Sequence, residues 1–193
     1  DAFRREPFDQ YFLDQIRAWR NLLGEDILLH HPDVDPETLN IFVQRILNRT
    51  IFLRICEDRC FEKYETLRKI TTYQALKALF AASDQKYGSG LFVLLGEDSL
   101  TVSDSVIVSI FQSLYYPNNS YEFSVIDPYI IGQIYELFLD ETLVIQDGCR
   151  IATEEKPEVV DSQGAVNTPK NITDIIVEDT LQPLYKNKSP EET

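Results

Sequence analysis

Apolar residues recur at three- and four-residue steps through LNIFVQRILNRTIFLRICEDR, Leu39 to Arg59. Leu39, Ile41, Phe42, Val43, Ile46, Leu47, Ile51, Phe52, Leu53 and Ile55 nearly encircle a helix, and a helix apolar most of the way round is buried among others. This stretch is therefore expected to be the central element, opened by Asp35 as N-cap and Pro36 in the first turn. It also carries Arg45, Arg49, Arg54 and Arg59, with Gln44, Asn48, Glu57 and Asp58. An unpartnered buried charge costs on the order of several kcal/mol. Either these arginines snorkel or pair with acids in a core, or one edge of the helix faces a phosphate backbone.

The same periodicity places Phe8, Tyr11, Phe12, Ile16, Trp19, Leu22 and Leu23 on one stripe of a helix from Pro7 to Leu23, with Gly24 as its expected stop. Helical segments are expected over Phe61–Ile70, Thr71–Phe80, Asp104–Tyr115 and, after Asp127-Pro128, through Ile131, Ile134, Tyr135, Phe138 and Leu139. Tyr121–Val125 reads as a short extended piece. Thr142–Ile145 and Cys149–Thr153 flank Gln146-Asp147-Gly148, a two-residue hairpin signal. Glu154–Gln163 is polar and proline-broken, a linker by composition. Thr168-Pro169 caps a last helix, about Pro169 to Leu184, and the tail KNKSPEET reads as disordered.

The fold class is thus mainly α, a helical bundle-like domain with a small β-hairpin near the C-terminal end. The expected divisions are a helical domain over 1–141, hairpin and linker over 142–163, a motif and helix over 164–185, and a tail over 186–193. At 193 residues, the chain is long enough for one sizeable core or for one domain and the beginning of another. It lacks methionine and begins at Asp1, which suggests a piece of a longer protein or a processed one. No apolar run approaches the roughly 20 residues of a membrane span.

A net charge of -14 argues against a nucleic-acid partner until its distribution is considered. Residues 1–40 hold 4 basic and 9 acidic side chains, 41–77 hold 8 and 4, and 78–193 hold 6 and 19. Only the middle segment is basic, and a solvated helical face is the competing explanation for it.

Little else in the chain offers chemistry. Cys56, Cys60 and Cys149 are an odd set that favours a reducing compartment, and no CxxC or suitably spaced histidine completes a zinc site around them. On the same reasoning the sequons at Asn48, Asn118 and Asn171 are accidental. The HHPDVDPET turn invites a metal, but proline-punctuated turn chemistry explains it more cheaply. Gly88, Gly90 and Gly96 lack the Gly-Lys-Ser/Thr ending of a phosphate loop. Glu57 and Asp58 are adjacent on a helix, so their side chains diverge by about 100 degrees and do not share one ion.

Five segments, in order, carry a resemblance: RILNRTIFLRICEDR (Arg45–Arg59), KYGSGLF (Lys86–Phe92), LYYPNNSYEFSVI (Leu114–Ile126), GQIYELFL (Gly132–Leu139) and GAVNTPKNITDIIVEDTL (Gly164–Leu181). Together they resemble the region just upstream of the methyltransferase core in type IIG restriction-modification enzymes and related phage-defence adenine methyltransferases. The resemblance implies a helical connector within a prokaryotic, cytoplasmic enzyme that modifies adenine N6 in DNA with S-adenosylmethionine. Neighbouring nuclease and methyltransferase domains, and DNA, would be its partners. The family's Gly-x-Tyr-Tyr-Thr-Pro segment is matched by Gly164, Thr168 and Pro169, which makes these the candidate cofactor residues. A helix start there would offer free N–H groups and a positive dipole end to the cofactor carboxylate.

The match departs from the family where Val166 and Asn167 replace tyrosines and where Asp161, Ser162 and Gln163 replace a basic run before Gly164. No glycine-rich cofactor loop, no Asn/Asp-Pro-Pro-Tyr/Phe motif and no paired-acid-plus-lysine nuclease site occurs. The chain by itself is expected to have no catalytic residues. Arg45, Arg49 and Arg54 are the candidate DNA contacts. The alternative is a stand-alone helical protein-interaction module, and a DNA mimic is a weaker third reading because the acids form no run.

Overall fold

Asp35 accepts a hydrogen bond from the Thr38 N–H at 2.9 Å and Pro36 occupies the first turn, so the central helix starts where its cap chemistry dictates. A computed structural model of the chain describes residues 6–93, 99–119, 123, 128–147, 150–156 and 170–180. Its elements are α1 (Glu6–His30), α2 (Pro36–Asp58), a short 3-10 turn (Leu67–Lys69), α3 (Tyr73–Tyr87), α4 (Asp104–Gln112), α5 (Pro128–Asp140), β1 (Glu141–Gln146), β2 (Arg150–Glu155) and α6 (Lys170–Thr180). Mainly helical architecture with a late hairpin is what the periodicity predicts. No helix among the described residues is long and apolar enough to cross a membrane.

The chain divides into two units, residues 1–156 and 157–193. In the first, α1 lies against α2, α4, α5 and both strands, and α2 also meets β1 and the 3-10 turn. Phe12, Ile16, Leu23 and Ile27 of α1 and Leu39, Phe42 and Leu47 of α2 are all but inaccessible to solvent. Full burial of such a side chain contributes about 1.5–3 kcal/mol. In the second unit, α6 exposes Ile172, Ile175, Ile176 and Val177.

Several boundaries differ from expectation. Gly24 does not end α1, which continues to His30. It instead marks the close passage of the hairpin: a Cβ built there would lie 3.1 Å from Leu143 Cδ1 and 3.3 Å from Ile151 Cγ1. Phe61–Ile70 is a loop with one 3-10 turn rather than a helix, and α3 starts at Tyr73, where the Thr72 hydroxyl caps the Ala75 N–H at 3.1 Å. Helix α3 runs on to Gly88, whose φ of 55° provides the left-handed stop.

The hairpin is antiparallel, with Glu141 opposite Glu155 and Gln146 opposite Arg150; Gly148 and Cys149 of the expected turn lie outside the described residues. It belongs to the first unit. The Asn40 side chain donates to the Leu143 carbonyl and accepts from the Leu143 N–H, both at 2.8 Å, pairing with β1 as a neighbouring strand would. Of the piece expected at Tyr121–Val125, only Phe123 is described.

Candidate functional site

The arginines of α2 turn inward. Arg54 is 2% exposed, and its guanidinium lies over Tyr115, Phe123 and Tyr64, with centroids at 4.4, 4.9 and 5.3 Å. Its Nη1 pairs with Asp58 Oδ1 and lies 3.7 Å from Glu57 Oε2, and its Nε donates to the Leu114 carbonyl at 3.3 Å. Aromatic faces and two carboxylates together replace the water this charge has lost.

Glu57 and Asp58 extend the cluster to the backbone of distant loops. Glu57 accepts from the Leu67 N–H at 2.9 Å, the Glu65 N–H at 3.1 Å and the Tyr115 hydroxyl at 2.6 Å. Asp58 accepts from the Phe123 N–H at 2.8 Å. Burial raises the Glu57 carboxyl above its ordinary value against the lowering pull of these donors and of Arg54, and it likewise pushes the Tyr115 phenol up. The adjacent acids thus diverge, as helix geometry requires, and each ties down a different piece of chain.

Arg49, 3% exposed, does the same one turn earlier. Its Nε donates to the Leu91 carbonyl and its Nη2 to the Val93 carbonyl, both at 2.8 Å, with the guanidinium 5.3 Å from the Phe80 centroid. A planar fork reaching two carbonyls is a task for arginine rather than lysine. On α1, Arg20 is buried between Phe138 and the Glu141 carbonyl, to which it donates at 3.0 Å, while Arg17 pairs with the Glu141 carboxylate at 2.8 Å. Burial lowers the Arg20 guanidinium from its ordinary value; the hydrogen bond to Glu141 raises that of Arg17.

The arginines singled out from the sequence for a phosphate edge therefore have different surroundings. Arg49 and Arg54 are internal, so in this fold a phosphate would have to displace their carbonyl, carboxylate and aromatic partners; Arg45 is half-buried. Gly164, Thr168 and Pro169 lie outside the described residues; α6 begins directly after them, at Lys170. Of the histidines at the proline-rich turn, His30 Nδ1 lies 2.7 Å from the Asp26 carbonyl of its own helix, and His31 Nε2 accepts from the Thr101 N–H, ahead of α4, at 3.0 Å.

Two surface features went unread in the sequence. One is a cavity of about 260 Å³ lined by Asn48, Ile51, Phe52, Ile55, Leu91, Ile131, Ile134 and Tyr135, between one face of α2 and one of α5. The other is the loop after α2, where Phe61 and Tyr64 are 66% and 53% exposed beside Arg59, Lys63, Arg68 and Lys69, all exposed. The helical spacing assumed for Phe61–Ile70 spread these side chains around a cylinder and hid them.

No protein-family model matches the chain, and no solved structure matches it. It is 39% identical over 189 residues, 96% of its length, to the Type II restriction enzyme and methyltransferase RM.Eco57I of Escherichia coli. The chain is similar to one segment of that enzyme. It spans 19% of that relative's length. Within the chain, the motifs that carried the resemblance meet one another in space. Arg54, Glu57 and Asp58 of the first hold Leu114, Tyr115 and Phe123 of the third, and Arg49 holds Leu91 of the second.

Proposed function

We propose that the chain is the helical connector of a bacterial, cytoplasmic DNA restriction-modification enzyme, and that it sets the relative positions of the methyltransferase domain, the nuclease domain and DNA. The observation carrying this reading is 39% identity, over 96% of the chain, to about a fifth of an enzyme that is both restriction enzyme and methyltransferase. A positioning role suits the internal arrangement: buried arginines fix the loops to α2, so the domain presents surfaces of defined shape. The apolar groove between α2 and α5, with Ile131 44% and Tyr135 58% exposed, is where this reading seats the methyltransferase domain.

The whole enzyme would methylate adenine N6, with S-adenosylmethionine as methyl donor. Gly164, Thr168 and Pro169 are the residues of this chain proposed to approach that cofactor. The start of α6 at Lys170 fits such a role, because a first helical turn leaves N–H groups open to the cofactor carboxylate. The test uses the protein encoded by the complete reading frame, incubated with duplex DNA and radiolabelled S-adenosylmethionine. Label in N6-methyladenine is expected. A folded protein that transfers no label to any DNA would overturn the reading and favour a stand-alone interaction module built on the groove.

A further inference from the structure

Glu57 is 3% exposed and accepts the backbone N–H groups of Glu65 and Leu67, so the loop between α2 and the 3-10 turn is held from beneath. Cys60 and Glu65 adopt positive φ values of 63° and 62° within it. Non-glycine residues take that conformation at a cost of roughly 1 kcal/mol each, which only specific surroundings sustain. Held this way, the loop turns its aromatic and basic side chains outward.

Its two acids are already engaged. Glu62 pairs with Lys86 at 2.7 Å and accepts from the Tyr87 hydroxyl at 2.6 Å; although burial pushes its carboxyl up, these partners bring it below its ordinary value. Glu65 pairs with Arg68 at 2.6 Å. The ion pairs among the described residues do not include Arg59, Lys63 or Lys69. Phe61, Tyr64 and, from the loop after α4, Tyr116 at 77% exposure supply apolar and aromatic surface to the same end of the domain, where Tyr64 meets Tyr115 edge-on at 5.9 Å. Residues 59–69 carry four bases and two acids, in a chain whose net charge is -14.

We propose that this loop, through Arg59, Lys63 and Lys69 with Phe61, Tyr64 and Tyr116, is the surface that contacts the sugar-phosphate backbone of duplex DNA. Accumulated basic side chains are what phosphates require, and a pinned loop presents them with little ordering cost. Tyrosines at a rim add hydroxyl contacts to phosphate oxygens. The inference rests on the restriction-modification reading and moves the DNA contact from the interior arginines of α2 to the loop that follows them.

The test measures binding of the complete enzyme to a fluorescein-labelled duplex as a function of salt, for wild type and for the triple variant R59A/K63A/K69A. The slope of log affinity against log salt should flatten by roughly 2–3 units, at about 0.9 per lost phosphate contact. R150A, at the exposed start of β2, removes one positive charge outside the loop and should leave the slope unchanged. All three substituted side chains are exposed, so the variant should keep the wild-type circular dichroism and melting midpoint. A triple variant with the wild-type slope overturns the loop assignment while leaving the restriction-modification reading intact. A wild-type enzyme that binds no duplex at low salt overturns both.

Discussion

The Tyr115 hydroxyl donates to Glu57 Oε2 at 2.6 Å, joining the end of α2 to a loop 58 residues later in the chain. Both groups are buried, and through Glu57 the same contact reaches the Glu65 and Leu67 backbone. The 59–69 loop and the Leu114–Tyr115 segment are therefore expected to be lost together rather than one at a time.

Y115F removes this hydroxyl without changing the ring that covers Arg54. Leaving one lone pair of a buried carboxylate without its donor costs about 1–3 kcal/mol. Burial, opposed by Tyr115, Leu67, Arg54 and Glu65, holds the Glu57 carboxyl above its ordinary value, so the folded state binds that proton more tightly than the unfolded chain. The stability this group contributes is fully present below the unfolded glutamate value of about 4.3 and is lost as pH rises through the higher folded value. E57Q cannot titrate. Urea unfolding of both proteins across this range should show the stability of wild type relative to E57Q falling as pH rises. A difference that stays level would mean that folding leaves the Glu57 carboxyl at its ordinary value.

Arg49 separates a structural arginine from a phosphate ligand. R49K retains the charge but cannot fork between the Leu91 and Val93 carbonyls, so it should lose about 1–3 kcal/mol for each acceptor left unsatisfied. R49Q removes the charge, and below its unfolding midpoint it should bind duplex DNA with the wild-type salt dependence. A slope flattened by about 0.9 would instead place Arg49 on a phosphate.

The central helix, its cap, the core stripe of α1 and the late hairpin were legible because periodicity and capping act over a few residues. Asp35 and Pro36 start α2 wherever α2 is placed. The fate of the arginines was not legible in the same way. Arg49, Arg54 and Arg59 recur along one sequence stretch, yet Arg49 and Arg54 find their partners at Leu91, Val93, Leu114 and Tyr115, which only the tertiary fold brings near. Counting charge by segment could not separate buried guanidiniums from the exposed bases of the next loop. Glu57 carries the same lesson: an acid in a helical run reads as a solvated charge until the loop it holds is seen.

Gly24 was misread as a helix stop because glycine has two uses, at ends and at close approaches. In mid-helix it is worth about 1 kcal/mol less than alanine, so G24A gains that much in propensity. The added methyl would meet Leu143 Cδ1 at 3.1 Å and Ile151 Cγ1 at 3.3 Å, and Leu143 is fully buried, so the hairpin must yield by a few tenths of an ångström. These terms nearly cancel, and G24A should lie within about 1 kcal/mol of wild type. G24L has no such balance. Overpacking of this kind costs about 1–3 kcal/mol, and it pushes β1 away from the Asn40 amide that pairs with Leu143. Hydrogen exchange should report the change locally, with the Leu143 amide losing protection in G24L but not in G24A, while the amides of α3, remote from the hairpin, keep theirs. Equal protection of Leu143 in both variants would show that the hairpin has room against α1 and that Gly24 is not required by the approach.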